Sequence, residues 1–231
     1  MEIVEVHLEA PATCVDELRS FYVNVLGLRE VAGTEVAVAV GSSQLHWRAS
    51  DSELPFYHFA LLVPGQRFQA AYEWLRERVE LLPYKGSPVV RFEAWNAFAA
   101  YFHDPAGSIV ELIAHLDIDD PEGTTGPFGP AELLGVSEVG LVVQDKRRAA
   151  EALHGQLGID VWSASDAAAL DDPGDLAFIG RKAHTLILSP PGRGWLPTAR
   201  PAEPHPVQVL LSGTSAGGSV QLAHGVEVRA G

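Results

Sequence analysis

The stretch YFHDPAGSIVELIAH, residues 101–115, decides how the chain is read. Asp104, Pro105, Ala106 and Gly107 form a tight turn that feeds directly into an apolar strand. One carboxylate, Glu111, interrupts that strand where a core residue belongs. An isolated ionised carboxylate is costly to bury, so Glu111 requires a cation, a set of donors or water beside it.

Upstream of this stretch the same order of elements occurs twice. EIVEVHLEA alternates like a strand, and Thr13-Cys14-Val15-Asp16 reads as a capping box with Asp in place of Glu. Val15, Leu18, Tyr22 and Val25 follow at helical spacing, with Gly27 placed as a helix C-cap. Strand patterns around Leu28–Val31, in EVAVAV and in SQLHWRA complete the first pass. The second pass opens at FYHFALLV, continues with a helix carrying Phe68, Ala71, Leu75 and Val79 on one face, and closes with strands ending in SIVELIAH. Each first strand holds a histidine, His7 and His58, 51 positions apart. A fixed offset between equal elements points to duplicated units that bury a shared face.

The segment DIDDPEGTTGPFGP has an acidic run, three prolines and three glycines, and no apolar periodicity. It divides the chain into residues 1–118, a linker over 119–130, and residues 131–231. Beyond it the order returns in weaker form: SEVGLVV as a strand, a helix over Arg148–Leu157 ended by Gly158, then DLAFIG, HTLILSP and a shortened fourth pass. Gly140 and Gln208 stand where the histidines of the first half stand, so the second half is expected to lack the ligand set. Lys146-Arg147-Arg148 reads as the solvated first turn of its helix.

The net charge of −14 argues against nucleic acid and anionic membrane surfaces as partners. With 47% apolar residues a sizeable core can be buried, and no apolar run approaches the ~18 residues needed to span a bilayer. A single cysteine, Cys14, allows no internal disulfide, and together with the absence of a signal-peptide pattern in MEIVEVHLEAP it favours a cytoplasmic location. Imidazole and carboxylate on strand interiors make a common donor set for a divalent metal: Fe(II), Mn(II), Ni, Co and Zn all suit it.

Three stretches resemble the vicinal oxygen chelate superfamily, which includes glyoxalase I, fosfomycin-resistance enzymes and extradiol dioxygenases. EVHLEAP with FYVNVLGL resembles the family's opening strand and helix, FYHFALLV the opening of its second module, and YFHDPAGSIVEL its closing aromatic-x-Asp-Pro-x-Gly-x-x-x-Glu signature. The likeness covers residues 1–116 well and residues 131–231 by element order. It implies an α+β fold of paired βαβββ modules, whose curved mixed sheets enclose a metal site, plus a degenerate second module pair. It places His7, His58 and Glu111 on the family's ligand positions. His46 falls near a fourth position that ordinarily holds Glu or Gln. Glu111 would also serve as a catalytic base, and Tyr101 would orient the substrate. His115, four residues after Glu111, is a candidate proton carrier; His103 reads as turn-exposed.

The resemblance implies a small-molecule substrate with vicinal oxygens, handled by a monomer or homodimer. The leading expectation is a metal-dependent lyase or isomerase acting through a metal-stabilised enediolate. The alternatives are an extradiol ring-cleaving dioxygenase with a His-His-Glu Fe(II) or Mn(II) site, and a non-catalytic binding or resistance protein.

Overall fold

The computed structural model describes residues 1–50, 55–118 and 125–231. Four modules follow one another. The first comprises β1 (Glu2–Pro11), α1 (Val15–Arg19), β2 (Arg29–Glu30), β3 (Val36–Val40) and β4 (Ser43–Ser50). The second comprises β5 (His58–Leu62), α2 (Phe68–Arg76), β6 (Leu81–Leu82), β7 (Val90–Phe92), β8 (Ala97–His103) and β9 (Ile109–His115). The third has β10 (Gly135–Val142), α3 (Lys146–Leu157), α4 (Ala164–Ala169), β11 (Ala177–Arg181) and β12 (His184–Ser189). A small hairpin, β13 (Gly194–Trp195) and β14 (Arg200–Pro201), precedes the fourth module: β15 (Val207–Ser212), β16 (Gly218–Ala223) and β17 (Val226–Ala230).

In each module the first strand lies parallel to the last, as in β1–β4, β5–β9, β10–β12 and β15–β17. The modules then join edge to edge by antiparallel pairing of their first strands: β1 with β15, and β5 with β10. One sheet therefore runs β16-β17-β15-β1-β4-β3-β2 and the other β11-β12-β10-β5-β9-β8-β6, with β7 on β8. Module one pairs with module four and module two with module three. This is the α+β fold of paired βαβββ modules anticipated from the resemblance, but the partnership differs. Where the sequence predicts a double-module domain over residues 1–118, each of those two modules completes its sheet with strands from beyond residue 131. The open edges of the four first strands are chemically alike as backbone, and packing of the whole chain selects which two meet.

A continuous core lies between the sheets and under the helices. Tyr22, Trp47, Phe59 and Phe102 are fully buried in it, with the Tyr22 and Trp47 rings 4.5 Å apart. Strand alternation places Val6, Leu8 and Ala10 in this core and turns Glu5, His7 and Glu9 to the opposite, concave face. The Asp-Pro-Ala-Gly turn is tied to the core: the Tyr22 hydroxyl donates to Asp104 at 3.0 Å, and the Ser108 amide donates to the same carboxylate at 2.8 Å.

Three local expectations are corrected. The first helix has no side-chain cap; a 3-10 turn over Ala12–Cys14 leads into it, and a π turn over Ser20–Val25 ends it. The π turn shifts the helical register, so Val25 is 38% exposed and Leu26 is buried in its stead. Lys146 is not solvated: it is 4% exposed, and its ammonium donates to the carbonyls of Ala169, Asp172 and Asp175, each at 2.6 Å. Of the expected linker, residues 119–124 lie outside the described residues, while Phe128 is buried against Trp74 with ring centroids 5.5 Å apart. No helix among the described residues is long and apolar enough to cross a membrane.

Candidate metal centre

The two sheets form two cups, and the four anticipated ligands are divided between them. His7 and His46 face each other across β1 and β4 in register, in the cup of modules one and four. His58 and Glu111 stand in the cup of modules two and three. Sequence spacing left this open, because the His7–His58 offset is the same whichever modules pair.

In the second cup, Ala60 of β5 pairs with Glu111 on β9 and with Glu138 on β10. Both carboxylates therefore flank Ala60 in one row, and His58, two residues earlier on β5, shares their face. Glu138 reaches this face through a β-bulge: Val136 pairs with Leu61 and Glu138 with Ala60, leaving Ser137 unpaired between them. Without the extra residue Glu138 would stand opposite Phe59, facing the core. One ligand atom from each of His58, Glu111 and Glu138 lies within 4.8 Å of the others, and all three side chains are buried.

The electrostatics of this cluster are unbalanced. His58 Nδ1 lies 3.1 Å from the carbonyl oxygen of Ile109; a carbonyl only accepts, so Nδ1 carries the proton. Nε2 then presents a lone pair toward Glu111, 3.6 Å away. Burial holds His58 neutral, its pKa lowered to about 4, with the Ile109 contact opposing and the Arg193 charge assisting. Burial first, and the charge of Glu138 second, push Glu111 well above the usual carboxylate range, against a counteracting contact from the Tyr101 hydroxyl. Burial raises Glu138 to about 7. Glu138 has no hydrogen bond or ion pair among the described residues. Three acceptors thus converge on one point with a single donor, Tyr101, paired to Glu111 in the β8–β9 register. Protons or a cation must come between them, and one imidazole with two carboxylates is a donor set that suits a divalent metal.

The centre opens into a cavity whose walls include Phe92, Trp95, Phe178, Ile187 and Trp195. Trp195 comes from the hairpin that crosses this cup, and its ring lies 5.0 Å from that of His58. A methyl group at Gly140 would meet the Trp195 ring at 2.8 Å, so the place in module three that corresponds to His58 is filled by indole. The sequence did carry a signal for Glu138: an acid inside the apolar run SEVGLVV is the same anomaly that marked Glu111. Glu138, from the half expected to supply no ligand, joins His58 and Glu111 in this cluster.

The histidines of the other cup have partners of their own. His7 Nε2 lies 2.8 Å from Glu5, the His7 and His46 rings stack at 4.4 Å, and His46 Nε2 lies 3.2 Å from the Gln44 side-chain oxygen. Ligand atoms of Glu5, His7 and His46 also lie within 4.8 Å of one another, but Glu5 and His7 are about a third exposed and already paired with each other. His115 shares the strand face of Glu111 but does not line the cavity; it is buried beside Trp95, with Nδ1 3.5 Å from the Trp95 carbonyl. His103 is exposed.

The paired modules and curved mixed sheets are a fold that the chain shares with solved structures of other proteins. A putative dioxygenase from Bacillus subtilis subsp. subtilis str. 168 superposes on 100% of this chain and 85% of its own, with a TM-score of 0.59 and 14% identity. Glyoxalase I from Zea mays covers 90% of this chain and 74% of its own, with a TM-score of 0.51 and 16% identity. Likeness at these identities carries the architecture alone. No family model and no curated protein matches the sequence.

Proposed function

We propose that this chain is a divalent-metal-dependent enzyme that moves a proton on a small molecule with two adjacent oxygens, a lyase or isomerase in reaction type. The observation that carries the reading is the buried convergence of His58 Nε2, Glu111 and Glu138 with no cationic side chain paired to either carboxylate among the described residues. A divalent ion at this point supplies Lewis-acid polarisation of a substrate oxygen and compensates the two carboxylates.

The chain's own groups divide the remaining work. Glu138, whose side chain has no hydrogen-bond or ion-pair partner among the described residues, is the freer base of the two carboxylates. Glu111, anticipated as the base, is the more firmly held of the two because the Tyr101 hydroxyl faces it. Burial keeps the Tyr101 phenol protonated, its pKa well above the ordinary value, so it acts as a donor that orients. The aromatic walls exclude water from the reacting atoms. His7 and His46 belong to the other cup and have no part in this step.

The ring-cleavage alternative draws on the aromatic walls of the cavity, but the two-histidine, one-carboxylate set that it requires is not assembled there: it occurs only in the other cup, as Glu5, His7 and His46, where Glu5 and His7 are partly exposed and paired with each other. Metal content of wild type and Glu138→Gln, followed by solvent-deuterium exchange and oxygen-uptake assays, separates the readings. Zinc, nickel or cobalt lost in the variant, with exchange and no oxygen uptake, supports the proposal. Iron or manganese with oxygen uptake replaces it with ring cleavage. A wild type that takes up no metal on reconstitution overturns both and leaves a ligand-binding cup.

A further inference from the structure

The segment from Pro190 to Pro206 crosses the mouth of the second cup and is pinned at several points. The Gly192 amide donates to the Ala202 carbonyl and the Ala202 amide to the Arg193 carbonyl, both at 2.8 Å. Arg200 donates to the Gly107 carbonyl at 2.9 Å and lies over the Phe56 ring, 3.4 Å from its centroid. The Tyr57 hydroxyl donates to the Pro206 carbonyl at 2.8 Å. This strap delivers Arg193, Trp195 and Leu196 to the cavity that holds His58, Glu111 and Glu138.

Arg193 is the only lysine or arginine lining that cavity among the described residues. Its guanidinium is half-buried and forms no ion pair; Nη1 donates to the Gly194 carbonyl at 2.8 Å, and Nε reaches the Gly174 carbonyl only at 3.5 Å. A guanidinium carries five donors in a fixed fork, so donor capacity remains for a carboxylate. The charge balance points the same way. A divalent ion would compensate Glu111 and Glu138, leaving Arg193 as the one cation of the cavity lining, opposed only by the charge of Asp175 outside that lining.

We propose that the substrate of this cup is a planar aromatic or similarly flat apolar acid, its oxygen pair at the metal centre and its carboxylate on Arg193. The flat rings of Trp95, Phe178 and Trp195 form the walls between these two poles. The inference rests on the metal reading above for one pole and on the strap for the other.

The test uses full-length, zinc-loaded protein under argon, titrated with 3,4-dihydroxybenzoate and with its neutral isostere 3,4-dihydroxybenzamide. Binding is read by quenching of tryptophan fluorescence. Wild type is expected to bind the acid at least about tenfold more tightly than the amide, the scale of one charge-assisted pair. Arg193→Gln is expected to bring that ratio near one while leaving amide affinity in place; Arg193→Lys, which restores the charge, retains part of the preference. Equal affinities in wild type, or an unchanged ratio in Arg193→Gln, overturn the proposal. The same titrations on metal-free protein judge the metal reading separately: affinities for acid and amide that do not fall on metal removal count against that reading, whereas Arg193 is judged by the ratio alone.

Discussion

Glu111 and Glu138 flank Ala60 from its two neighbouring strands, both at most 5% exposed, and neither is paired with an arginine or lysine among the described residues. Such an arrangement opposes folding of the metal-free chain, since two like charges share a low-dielectric site. It becomes favourable when a cation stands between them.

The metal-free protein is therefore expected to lose stability as pH rises. Glu138 has a folded-state pKa of about 7 against an ordinary 4.5, so the native state holds a proton that the unfolded state has released between those values. The penalty is absent below pH ~4.5 and complete above pH ~7, amounting to about 3 kcal/mol for this group. Urea denaturation of metal-free wild type and Glu138→Gln from pH 4 to 8 measures it. The variant should show a flatter profile and be the more stable protein at pH 8.

Metal should reverse that order. Added zinc at 100 times its dissociation constant stabilises the native state by about 2.7 kcal/mol, and the gain should grow with pH as Glu111 and Glu138 give up their protons. His58→Ala, which removes the lone pair facing Glu111, should abolish most of the thermal shift. His7→Ala should leave the shift caused by the buried centre intact, because His7 lies in the other cup.

Asp104 titrates in the same direction by a different route. Burial raises it to about 6, against the Ser108 amide and the Tyr22 hydroxyl, which both favour its charged form. Tyr22→Phe removes one of these donors. It should cost about 1–3 kcal/mol at pH 7 and less at pH 4, where the carboxyl is protonated. Thermal melts at the two pH values compare the losses.

Lys146→Met probes a different buried charge. Three carbonyls converge on the Lys146 ammonium at 2.6 Å, and methionine fills the space while leaving them without a donor. A loss of about 3 kcal/mol or more in chemical denaturation is expected. Arg148→Met, two residues along the same helix at an exposed position, should change stability by no more than about 0.5 kcal/mol.

Much of this architecture was legible in the chain itself. The alternation in EVHLEA, the Asp-Pro-Ala-Gly turn and the apolar face of Phe68, Ala71 and Leu75 are local patterns, each set by the side-chain period of one element. Glu111 stood out because an acid in an apolar strand requires an explanation, and Glu138 offered the same signal within SEVGLVV. The Val25–Leu26 exchange was not legible, since a π turn adds a residue without marking the sequence.

The sequence by itself determined four strand-bearing modules, the first-strand histidines of the first two and the carboxylate that closes the second module. These follow from periodicity over a few residues, where side-chain geometry leaves little choice. Only the tertiary structure decided that module one meets module four and module two meets module three, which parts His7 and His46 from His58 and Glu111. It also decided, through one unpaired residue at Ser137, that Glu138 faces the cup. Strand edges present the same backbone groups to any partner and a bulge reverses a face with a single residue, so both outcomes depend on packing of the whole chain.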